Sequence, residues 1–98
     1  MKVTTKSGFK CTIDENILRD WRFITLTSKL TKQEDEIQII DTVNDALNFL
    51  LGADGTEKLI EHIAKKHKVA DVKEVITEYG EIITILKDSV KKSQSSSE

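Results

Sequence analysis

The sequence predicts a mainly helical α+β domain: an N-terminal β-hairpin, then about four helices in a small bundle, then a disordered C-terminal tail. Three observations carry this. The first thirteen residues alternate apolar and polar side chains around a Ser-Gly pair. From Ile17 to Val90 the apolar residues recur at three- and four-residue steps, the period of an amphipathic helix. The chain contains no proline to interrupt those helices. With 98 residues there is room for a single domain, placed at residues 1–90, with a Lys/Ser-rich tail at 91–98.

In the hairpin, Val3, Thr5, Phe9, Cys11 and Ile13 alternate with Lys2, Lys6, Lys10 and Thr12. Ser7-Gly8 is read as a two-residue turn, with glycine supplying a positive φ. A lone hairpin is marginal in water, so the face with Phe9, Cys11 and Ile13 is expected to pack on a helix. Asp14 reads as the N-cap of a first helix over about 15–29, with Ile17, Leu18, Trp21 and Ile24 at helical spacing. The acids Glu34, Asp35 and Glu36 suit the start of a second helix. Ile37, Ile40, Val43, Ala46, Leu47, Leu50 and Leu51 form its stripe, and Gly52 its natural left-handed stop. Asp54-Gly55-Thr56-Glu57 reads as a turn and a third helix start, continued by Leu59, Ile60, Ile63 and Ala64 to about His67. Asp71 caps the last helix, whose stripe runs Val72, Val75, Ile76, Tyr79, Ile82, Ile83, Leu86 and Val90. Gly80 interrupts that stripe, and a close approach of another helix is the expected reason. Residues 91–98 hold no apolar side chain with which to offset ordering entropy.

Composition excludes several functions. The net charge is −2, from 15 Lys and Arg against 17 Asp and Glu. It divides into +3 over residues 1–30, −3 over 31–70 and −2 over 71–98. A dedicated nucleic-acid binder usually carries a basic excess. The pair of helices within 59–86 has a helix-turn-helix outline. Its second helix, however, presents Asp71, Glu74, Glu78, Glu81 and Asp88 against Lys73 and Lys87, facing a polyanion. A single cysteine forms no internal disulfide, so a reducing compartment is expected. No apolar run reaches the length of a membrane span, and MKVTTKSGFK lacks the apolar core of a signal peptide.

Catalytic chemistry finds little support. His62 and His67 are five apart, off the spacing that puts two ligands on one helix face. Cys11 reads as a small buried hydrophobe. Glu74 and Glu78 read as a solvated helix face. No metal or other cofactor is called for, and the chain is read as a non-enzyme. The large apolar residues remain. Trp21 and Phe23 on the first helix, with Phe49 and Leu50 on the second, are the candidate partner-binding residues, for an amphipathic helix or for self-association.

The order of elements resembles the tail assembly chaperones of long-tailed, non-contractile bacteriophages. The likeness runs from Ser7-Gly8-Phe9 and Asp14-Glu15, through Asp45-Ala46-Leu47-Asn48-Phe49-Leu50-Leu51-Gly52, to Thr56-Glu57-Lys58-Leu59-Ile60-Glu61-His62-Ile63 and Ile82-Ile83-Thr84-Ile85-Leu86-Lys87. Its most specific part is the Leu-Leu-Gly helix end followed by the Glu-Lys-Leu-Ile start. One departure is Lys68 before Val69, where a glycine-containing turn is expected. The resemblance implies a chaperone in the cytoplasm of a bacterial host. It would coat the helical, apolar tape measure protein during tail assembly.

Overall fold

The computed structural model describes the backbone of residues 1–96 and the side chains of residues 1–89. Strands β1 (Lys2–Thr4) and β2 (Lys10–Thr12) pair antiparallel, with Val3 opposite Cys11. A single-turn 3₁₀ helix, Glu15–Arg19, leads into α1 (Trp21–Lys32), α2 (Glu36–His67) and α3 (Val72–Ser96). The hairpin and the helical character follow the sequence pattern. The element count does not: there are three α-helices rather than about four.

Two capping choices move the start of the first helix. Asp14 does accept a backbone N–H, from Asn16 at 3.0 Å, but it starts only the 3₁₀ turn. Asp20 stays extended and caps again, accepting the N–H of Arg22 at 2.8 Å. The helix expected over 15–29 is thus split, and Trp21 becomes the first residue of α1. The lower count arises at Gly52, where the expected second and third helices are continuous. It holds φ 77° and ψ 165° inside α2, so the helix bends there without a separate loop. Thr56 is the partner of that bend: its hydroxyl donates to the Gly52 carbonyl at 3.1 Å.

The hairpin turn is one residue longer than expected. The Gly8 N–H donates to the Thr5 carbonyl and the Thr5 N–H to the Phe9 carbonyl, both at 3.0 Å. Lys6, Ser7 and Gly8 therefore form a three-residue loop, with Gly8 at φ 93° absorbing the bulge. Between α2 and α3 it is Lys68 that takes the left-handed conformation, at φ 69°, where glycine was expected. Asp71 caps α3 as the sequence suggests, and of the acids expected at the start of α2 it is Asp35 that caps; they accept from Lys73 and Ile37, each at 2.9 Å.

The core joins the hairpin to all three helices. Val3, Phe9 and Ile13 meet Phe23, Val43, Leu47, Leu50, Leu59 and Ile63, together with Tyr79, Ile82 and Leu86. Gly80 is exposed, and a Cβ added there would meet nothing within 4 Å, so no helix approaches it closely. The tail expected at 91–98 falls on residues whose side chains lie outside the described part. Their backbone continues α3 to Ser96.

Candidate functional site

The apolar stripes of α2 and α3 extend past the core at one end of each helix. In α2 the stripe is buried from Val43 onward, but Ile37 is 76% exposed and Ile40 38%. In α3 it is buried from Tyr79 to Leu86, but Val72 is 38% exposed and Val75 and Ile76 are half-buried. These uncovered ends face a common cleft of about 490 Å³. Ile37, Ile40, Val43 and Leu47 form one wall; Ala70, Val72, Val75 and Ile76 form the other; Ile60 closes between them. Gln38, Asp41 and Asn44 supply the polar lining, and no residue of α1 takes part.

The bend at Gly52 makes this cleft possible. In a straight helix Ile37 and Ile60 would lie about 35 Å apart along the axis. Both line the same cleft, so the two halves of α2 fold toward each other about the glycine. No ordinary side chain adopts this φ and ψ cheaply.

The four residues singled out in the sequence do not form a groove. Phe23 and Leu50 are core residues. Phe49 is half-buried, with the Arg22 guanidinium 4.9 Å from its ring centre. Arg22 is itself held by Asp20 at 3.1 Å. Trp21 stands in solvent at 78% exposure. In the sequence the cleft residues Ile37, Ile40, Val72, Val75 and Ile76 belong to the same stripes as the core residues. What sets them apart is that each stripe is longer than its neighbours can cover.

A second polar cluster fixes the hairpin to the helices. Glu78 is only 4% exposed and accepts hydrogen bonds from Thr5, at 3.0 Å, and from Ser7. It is therefore not the solvated carboxylate that its spacing from Glu74 suggests. Ser7 Oγ also lies 3.2 Å from His62 Nε2, whose ring packs against Phe9 at 5.7 Å between centres. Glu81 accepts the Lys6 N–H at 2.6 Å. The serine, histidine and carboxylate invite comparison with a hydrolase relay. In such a relay the acid orients the imidazole; here Glu78 engages the two hydroxyls instead. The Cys11 thiol is pushed above its ordinary range, first by burial and then by the charge of Glu78. That works against thiolate chemistry. Among the described residues no group of three His, Cys, Asp or Glu is placed to hold a metal ion. Nor is any helix among them long and apolar enough to cross a membrane.

Comparison with protein-family models, with curated proteins and with solved structures finds no match to this chain.

Proposed function

We propose that the chain is a non-enzymatic assembly chaperone that shelters an amphipathic helix of a long, apolar client in the cleft between α2 and α3. The observation that supports this is the open apolar cleft itself, with Ile37 and Val72 uncovered on facing walls. A helix laid there would bury an i, i+3, i+4, i+7 stripe on a prepared surface. Each contact can be weak, because many copies on one client gain through effective concentration. The resemblance to phage tail assembly chaperones supplies the candidate client, a tape measure protein, and the setting, the cytoplasm of a bacterial host. Helix-turn-helix regulation and a generic interaction module are the alternatives. The first has less behind it, since α3 offers few basic groups.

The test is co-expression with the tape measure protein of the same genome. The client should partition into the soluble fraction with the wild-type chain and into the pellet with Ile37→Glu/Val72→Glu. Both positions are exposed, so circular dichroism should show the fold retained. A client that stays insoluble with the wild-type chain rules this function out.

A further inference from the structure

We infer that the helix accepted by this cleft is cationic: an amphipathic helix whose apolar stripe is flanked by Lys or Arg. The inference rests on the helix-binding reading above and adds the chemistry of the ligand. Asp41 is the one charged side chain lining the cleft, and it is exposed. The wall it belongs to, residues 34–45, carries Glu34, Asp35, Glu36, Asp41 and Asp45 and no Lys or Arg. The facing wall, residues 70–76, adds Asp71 and Glu74 against Lys73.

Two features could offset this field, and each is engaged in part. The starts of α2 and α3 carry the positive ends of helix dipoles, but Asp35 and Asp71 cap them. The basic run before the link is partly committed as well. Lys66 Nζ lies 3.5 Å from the Ser7 carbonyl, and His67 lies 3.8 Å from Glu74. An anionic helix would therefore meet Asp41 directly, with the exposed carboxylates of Glu34, Glu36 and Asp45 on the same segment of chain. A cationic one would find Asp41 at the edge of the apolar floor, with Asp45 one helical turn further along α2.

The experiment uses two fluorescein-labelled helical peptides with the same leucine stripe, one with lysines on its polar face and one with glutamates. Each is titrated with the full chain and followed by anisotropy. The lysine peptide should bind about tenfold more tightly at low ionic strength, and added salt should shrink the difference. Asp41→Lys should narrow or reverse the preference, and Ile37→Asn, which removes apolar surface without adding charge, should weaken both peptides. Equal binding, or preference for the glutamate peptide, overturns the inference while leaving helix binding intact. If neither peptide binds but the client is still solubilised, the inference alone falls; if both measurements fail, the functional reading falls with it. A concentration-dependent dimer, abolished by Ile37→Asn, would make a second copy the occupant and would also overturn the inference.

Discussion

Ser7, in the hairpin turn, donates its hydroxyl to Glu78 in the second turn of α3, 71 positions away. Thr5 donates to the same oxygen, and the imidazole of His62 lies against Ser7. One carboxylate thus joins the first element of the chain to the last. Glu78→Ala leaves two hydroxyls without their acceptor and should cost about 1–3 kcal/mol. Glu78→Gln keeps a carbonyl oxygen in place and should cost less. Urea denaturation measures both. A cycle with Ser7→Ala should return a coupling energy above about 0.5 kcal/mol, as for residues in direct contact.

Gly52→Ala should destabilise the chain by about 1–3 kcal/mol, although the site has room for a methyl group. The cost is in the backbone, since φ 77° with ψ 165° is closed to residues with a Cβ. The variant should also weaken client binding, because the bend brings Ile60 into the cleft. A variant as stable as the wild type would show that α2 can run straight.

Gly80→Ala should have the opposite sign. The position is exposed and helical, and the added methyl meets open space. Replacing glycine there should stabilise by about 0.5–1 kcal/mol, visible as a higher melting temperature.

Cys11 should react with a disulfide reagent more slowly than a free cysteine at mildly alkaline pH, and urea should accelerate it. Burial, then the Glu78 charge, holds its proton on. The sign for stability follows. The folded chain binds this proton more tightly than the unfolded chain. The contribution is therefore complete below the ordinary thiol range and is lost as pH rises through the raised value. Glu78→Gln should speed the reaction. An unchanged rate would mean that burial alone sets the thiol.

The parts legible in the sequence are those set by near neighbours along the chain. Asp35 and Asp71 cap because a carboxylate two residues before an orphan N–H can hardly miss it. That Gly52 breaks the helical dihedrals is also local to its backbone, although α2 resumes there without the expected turn. The split at Asp20 was hidden because Asp14 offered an equally good cap six residues earlier. Glu78 was hidden because its partners are in the hairpin. The cleft was hidden for a subtler reason: a stripe tells which face is apolar, not how far a neighbouring helix reaches along it. Ile37 and Ile83 look alike in the pattern, yet one is 76% exposed and the other 9%.

The placement of Trp21 has an optical consequence. It is the only tryptophan in the chain and already sits in water, so its emission should change little when the protein unfolds. Intrinsic fluorescence is then a poor gauge of folding here. It is instead a beacon for whatever lands on α1. Because α1 lines no part of the cleft, a ligand seated between α2 and α3 should leave that light undisturbed.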